Sequence, residues 1–268
     1  AGSAYQRVQG VEKWNLTVMP STKLPDETNR SEWVAAEIQR PFDLTQDFML
    51  RAYLFAEQQN EFQLLIIMHH IASDGWSTSI LIEELLSNYE QYRRGQYTKF
   101  RPLSIQYADY AHWQRTHLKA ELLQEELDWW EARLSGLRPL NLPTDFRRPS
   151  IRLNEGQTRG FLIEKDLVDH LQIIADEYGA TLFMTVLTVF KVLLYRYSGQ
   201  TDIALGVPIT NRDQVALEDL IGFFVNTVVL RSDLAGDPSF EDLLVQVKEN
   251  TLAAFSHQQL PFEKLVEQ

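Results

Sequence analysis

The sequence predicts an α/β protein organised as two lobes. Three observations carry that expectation. Short apolar runs of strand length alternate with amphipathic segments of helical period. The alternation stops at "GLRPLNLPTDFRRPS" (136–150), which holds three prolines, and the same pattern restarts beyond it. The division expected is residues 1–140 as a first lobe, 141–150 as a proline-rich linker and 151–268 as a second lobe. A chain of 268 residues supplies core enough for two modest domains or one large one.

Each element follows from its pattern. "FQLLIIMHH" (62–70) is an unbroken apolar run, as in a strand covered on both faces. A helix is expected from Ser77 as N-cap, with Ile80, Leu81, Leu85 and Tyr89 on its inner side. "SIQYADYAHWQRTHL" (104–118) and "LQEELDWWEARL" (123–134) read as helices, the second ending near Gly136. Past the break, "TRGFLIE" (158–164) alternates like a strand. "KDLVDHLQIIADEYG" (165–179) is an amphipathic helix closed by Gly179. Thr181 opens "LFMTVLTVFKVLLYRY" (182–197), apolar enough to require burial on most sides. "TDIALGVPIT" (201–210) and "VNTVVLRSDL" (225–234) read as strands, and "SFEDLLVQVKENTLAAF" (239–255) as a helix starting at an Asp-Pro-Ser turn.

Composition narrows the functional classes. With 25 basic against 37 acidic residues the net charge is −12, which argues against a nucleic acid or an anionic membrane as the main partner. No cysteine is present, so thiolate nucleophiles, disulfides and Cys-ligated metals are excluded. Apolar runs are too short to span a bilayer, and the chain reads as soluble and cytoplasmic.

The chemistry concentrates in "MHHIASDGWS" (68–77). Adjacent residues on a strand point to opposite faces, so His69 and His70 cannot both enter one site while the strand persists. One is expected to be structural. The other, nearer the strand's end, is the candidate for proton transfer, because imidazole titrates near neutrality. An Asp-Gly step turns the backbone sharply, and Asp74 is placed to hold local amides or a distant arginine. The bland alternative is a packed histidine pair with satisfied hydrogen bonds.

This stretch resembles the third core motif, His-His-x-x-x-Asp-Gly, of nonribosomal peptide synthetase condensation domains. "YADYAHW" (107–113) is similar to the family's fourth motif, "IGFFVNTVVLR" (221–231) to its fifth and "HQQLPFEKLVE" (257–267) to its sixth, with Gln259 where the family more often has Asp. The family's first two motifs and its last are not matched, so the chain reads as a fragment with both lobes incomplete. The arginine of the second motif, expected to pair with the residue corresponding to Asp74, is among what is missing, unless another arginine substitutes for it.

The resemblance implies two chloramphenicol-acetyltransferase-like lobes forming a V around a tunnel. Donor and acceptor peptidyl carrier proteins would present their groups on phosphopantetheine arms, with an adenylation domain as neighbour and no cofactor bound by the domain itself. It implies His70 as the catalytic histidine, His69 as its structural neighbour, Asp74 as loop organiser and Gly75 as the point of close backbone approach. Trp76 and Ser77 would border the tunnel, and Asn226 would contribute from the second lobe. No metal site is implied: adjacent strand histidines diverge, and no second ligand cluster accompanies them. Rival readings are a carrier-docking or recruitment module without catalysis, an ester-forming variant and an epimerisation domain. Thr78 and Ser79 after Ser77 disfavour the last.

Overall fold

A computed structural model describes residues 5–19, 27–58, 61–96, 102–147 and 156–267. The chain forms two compact units, residues 1–108 with 212–224, and residues 109–211 with 225–268. Their boundary does not follow the proline-rich stretch, since residues 109–140 group with the later sequence and 212–224 with the earlier. Residues 148–150 of the expected linker lie outside the described residues.

The first unit is built on a three-stranded sheet. Strand β1 (Thr17–Met19) pairs in parallel with β2 (Leu50–Gln58), which pairs antiparallel with β3 (Glu61–Met68). Helix α1 (Glu27–Gln39) packs on β2 through Trp33, whose ring meets Tyr53 and Phe55 edge-on at 4.9 and 5.6 Å. The expected strand of residues 62–70 forms but ends at Met68, and it is not covered on both faces as expected: Phe62 and Leu64 are 58 and 42% exposed and none of its residues is fully buried. A last ladder bond runs from the His69 amide to Met49 O, and the chain then tightens into a 3₁₀ turn over His70–Ala72.

Helix α2 (Gly75–Arg93) starts two residues before the expected cap. Asp74, in extended backbone, accepts a bond from the Ser77 amide and is the N-cap, so Ser77 sits inside the first turn. A carboxylate three residues ahead of an amide donor outcompetes a hydroxyl further along. Ile80 and Leu81 are half-buried as expected, whereas Leu85 and Tyr89 are 40 and 60% exposed, because burial fades along the helix.

The second unit holds helices α3 (Tyr107–His117, its first two residues belonging to the first unit), α4 (Ala120–Leu134), α5 (Lys165–Glu177) and α6 (Leu182–Ser198). The hairpin of β4 (Asp202–Ile209) and β5 (Asn226–Asp233) is antiparallel, with α7 (Val215–Glu218) in the intervening segment that joins the first unit. Helices α8 (Phe240–Ser256) and α9 (Phe262–Val266) complete the chain. Its core gathers Trp130 of α4, Leu187 of α6, Ile203 and Leu230 of the hairpin, and Leu244 and Val247 of α8. Thr181 caps α6 as expected, through the Met184 amide.

Two expectations fail here. Residues 158–164 form no strand; Phe161 and Leu162 are each more than 80% exposed, and the described residues give them no ladder partner to satisfy an extended backbone. Helix α6 is not buried on most sides. Met184, Leu187 and Leu194 face the core, while Phe183, Val186, Phe190, Leu193 and Tyr197 form a stripe 42–65% exposed. No single helix among the described residues is long and apolar enough to cross a membrane.

Candidate functional site

The site is assembled where β3 ends. After Met68 the chain leaves the sheet, and the two histidines take different work. His69 Nδ1 accepts the Ile71 amide at 3.0 Å, and its ring meets Phe42 edge-on at 5.6 Å. Phe42 in turn lies under the Arg51 guanidinium at 3.7 Å. His69 is thus the cap of the 3₁₀ turn.

His70 is exposed. Its Nδ1 lies 2.7 Å from Ser73 O. A carbonyl oxygen can only accept, so in the neutral ring Nδ1 carries the proton and Nε2 keeps its lone pair. The Phe223 ring stands edge-on to the imidazole at 5.3 Å and 89°.

Asp74 holds the loop and the helix together. Its Oδ1 accepts the Ser77 amide at 2.8 Å and the Ser77 hydroxyl at 2.7 Å, while Oδ2 accepts the Phe224 amide at 3.1 Å. Arg212 reaches both oxygens, at 3.2 and 3.3 Å, with both side chains only 1% exposed. Burial pushes the Asp74 carboxyl upward, but the Ser77 hydroxyl and amide, the Phe224 amide and the Arg212 charge outweigh it and hold Asp74 below the ordinary carboxylate value. These contacts favour the carboxylate form of Asp74.

Arg212 is itself tightly held. Its guanidinium donates to the carbonyls of Leu217 and Leu220 and to Ser77 Oγ, and lies 4.0 Å over the Phe224 ring. Asn211, in the left-handed region at φ 50°, turns the chain into it. The arginine that Asp74 requires is therefore present, and comes from the segment after β4.

Ser77 is fully buried and its hydroxyl binds Asp74, Arg212 and the backbone of Gly222. Expected at the border of a substrate tunnel, its side chain is enclosed within the first unit. Trp76 is 46% exposed and its indole N–H donates to Glu218 O at 2.9 Å. Gly75 is open, since a side chain added there meets nothing within 4 Å.

Gly222 is the opposite case, because an added Cβ would overlap the Tyr107 ring. The Tyr107 hydroxyl donates to Phe223 O at 2.7 Å. Burial, then the Asp74 charge, raises its pKa and keeps it a neutral donor. Tyr107, Arg212, Gly222 and Phe223 are the residues that sequence reasoning did not place in this site. Tyr107, Gly222 and Phe223 lie in the stretches similar to the family's fourth and fifth motifs, whereas the only local signal for Arg212 is an Asn-Arg pair after a strand.

Asn226, expected to contact substrate, lies in the second unit with its amide fully committed. Nδ2 donates to Gln258 O and Leu260 O at 2.7 and 2.8 Å, and Oδ1 accepts the Thr227 and Phe262 amides at 2.9 and 3.0 Å. Those bonds use both donors and both lone pairs, so the geometry makes Asn226 an anchor for the 258–262 turn. No group of three potential metal ligands forms among the described residues.

Comparison with known proteins extends this geometry. All 268 residues match the family model of the condensation domain. Over 271 aligned positions the chain is 43% identical to a component of the linear gramicidin synthase of Brevibacillus parabrevis, covering all of this chain and 5% of that protein. It is 42% identical to malpinin synthetase of Mortierella alpina, over 88% of this chain and 3% of that one. The X-domain from teicoplanin biosynthesis, solved in complex with OxyB, superposes with a TM-score of 0.86 at 30% identity, over 94% of this chain and 56% of that chain. The chain thus spans a small part of these curated relatives and little more than half of the solved domain. The mixed α/β fold is the chloramphenicol-acetyltransferase-like one that such domains share. Matched along its whole length, with relatives that are nonribosomal peptide synthetases, the chain belongs to the condensation domain family.

Proposed function

We propose that the chain joins two carrier-bound building blocks through an amide bond. The α-amine of the acceptor attacks the thioester carbonyl carbon of the donor. A C–N bond forms, the C–S bond breaks, and the departing sulfur takes up a proton. His70 Nε2 receives the proton lost by the amine and returns it to that sulfur. The observation that carries this reading is the pinned Nδ1–H of His70, which leaves the lone pair on Nε2 of an exposed side chain.

A free α-amine has a pKa of about 8, so part of it is uncharged at neutral pH. His70 then has to accept a proton during or after attack and to orient the nucleophile, which is general-base work worth about 10²–10⁴-fold. Asp74, clamped by Arg212, fixes the loop without exchanging protons. Gly75 begins a helix with open space over its backbone, which suits close approach of the reacting carbonyl and stabilisation of its oxyanion. His69 anchors the turn and Trp76 borders the approach. The absence of cysteine and of a Gly-x-Ser-x-Gly elbow favours direct transfer, with both substrates held together.

In this reading the partners are a donor and an acceptor peptidyl carrier protein and an adjacent adenylation domain, all in the cytoplasm. Phosphopantetheine enters as part of the substrates. The test is peptide formation from two loaded carrier proteins by the full-length protein. His70→Ala should slow it by about 10²–10⁴-fold, and wild-type speed in that variant overturns the assignment.

A recruitment role is the second reading, favoured by similarity to an X-domain solved with OxyB. It is the outcome if no product forms from any loaded carrier pair while carrier binding persists. Hydroxyl in place of amine acceptors, and loss of the Cα hydrogen to solvent, detect the ester-forming and epimerising variants in the same assay.

A further inference from the structure

We infer that Phe223 is a positioning residue for His70, setting the tilt of the imidazole and so the aim of Nε2. The inference rests on the proposed role of His70 as base. One hydrogen bond, Nδ1–H to Ser73 O, fixes the back of the ring but leaves it free to tilt about that bond. Phe223, edge-on at 5.3 Å and 89°, closes that freedom from the side.

Phe223 is itself held from three directions. Its carbonyl accepts the Tyr107 hydroxyl, the preceding Gly222 is tied by N–H and C=O to Ser77 Oγ, and the following Phe224 amide is tied to Asp74. Gly222 has no room for a side chain because the Tyr107 ring fills it. The backbone of Phe223 therefore has little freedom, and its ring is delivered to one place. Burial separates the two neighbouring rings. Phe224 is 2% exposed and is core, whereas Phe223 is half-buried beside an exposed histidine, which is poor use of a ring for packing alone.

The test combines kinetics with histidine-selective NMR of the intact protein, whose six histidines include His70, assigned by its loss in His70→Gln. Phe223→Ala should lower kcat by about ten- to a hundredfold through misplacement of the base, with KM for the loaded carriers unchanged. Phe223→Tyr, which keeps the ring, should restore most of the rate. In Phe223→Ala the His70 ring protons should shift as the neighbouring ring is lost. Phe223→Leu, which keeps volume without the aromatic edge, serves if the alanine variant does not fold, and should behave alike. An unmoved His70 resonance overturns the inference, as does wild-type kcat in a protein whose His70→Ala variant is slow. If His70→Ala is itself at full speed, the base assignment has failed, and nuclear Overhauser contacts of the His70 ring with the Ser73 backbone, altered or unaltered in Phe223→Ala, decide whether Phe223 sets the ring.

Discussion

Asp74 and Arg212, 138 residues apart in sequence, form a buried ion pair in which both carboxylate oxygens face one guanidinium nitrogen at 3.2 and 3.3 Å. The pair joins the cap of α2 to the segment after β4, inside the first compact unit.

Removing one partner strands a buried charge. Arg212→Ala or Asp74→Leu should each cost about 3–5 kcal/mol of stability, read by chemical denaturation. The double variant Asp74→Leu/Arg212→Met should recover only part of that, because the Ser77 and Phe224 amides would still lack their acceptor.

The same pair shapes the acid limb of stability. Unfolded, an aspartate titrates near 3.9, and in the fold Asp74 keeps its charge to lower pH. Its contribution is complete above the unfolded value and is lost as pH falls from there through the folded value. Asp74→Asn should therefore flatten the stability-against-pH curve below about pH 4. A curve of unchanged slope contradicts this.

Lys191 sets an alkaline counterpart. It is fully buried in α6, donating to Leu230 O and Ser232 Oγ at 2.9 and 2.7 Å, and burial, aided by Arg133, lowers its pKa to about 8. Unfolded, it titrates near 10.4. Between these values the unfolded chain binds more protons than the folded one, so stability rises with pH across that window. Lys191→Met should remove that rise when the two curves are subtracted.

Two glycines should respond in opposite ways. Gly222→Ala forces a methyl into the Tyr107 ring and should destabilise by about 1–3 kcal/mol. Gly75→Ala meets open space and should leave the melting temperature unchanged while slowing condensation. A stable, fully active Gly75→Ala removes that residue from the proposed chemistry.

Asn226→Ala should cost stability without altering substrate affinity, since four backbone bonds fall with the amide. About 2–3 kcal/mol is expected from the buried groups left unpaired. A raised KM at unchanged stability would return Asn226 to substrate contact.

The parts legible in the sequence are those set by local chemistry. The apolar run into the histidines, the Thr181 cap and the Gly179 stop needed only nearest neighbours. The start of α2 was misplaced because a carboxylate and a hydroxyl three residues apart both suit a cap, and only geometry chooses Asp74. Arg212 was out of reach, since its partner lies 138 residues away. Lys191 was hidden inside an apolar helix; nothing around it signals that a carbonyl and a hydroxyl of β5 await its ammonium. Residues 158–164 alternate like a strand, yet alternation supplies no partner. Asn226 is a polar residue amid apolar ones, but its use depends on a turn 32 to 36 residues further on.

The excursion of residues 212–224 into the first unit also bears on recombination between related chains. A chimera spliced at the proline-rich stretch would inherit its histidine loop from one parent and the guanidinium and phenyl ring that brace it from the other. Grafting 212–224 together with residues 1–108 keeps those matched surfaces in a single lineage.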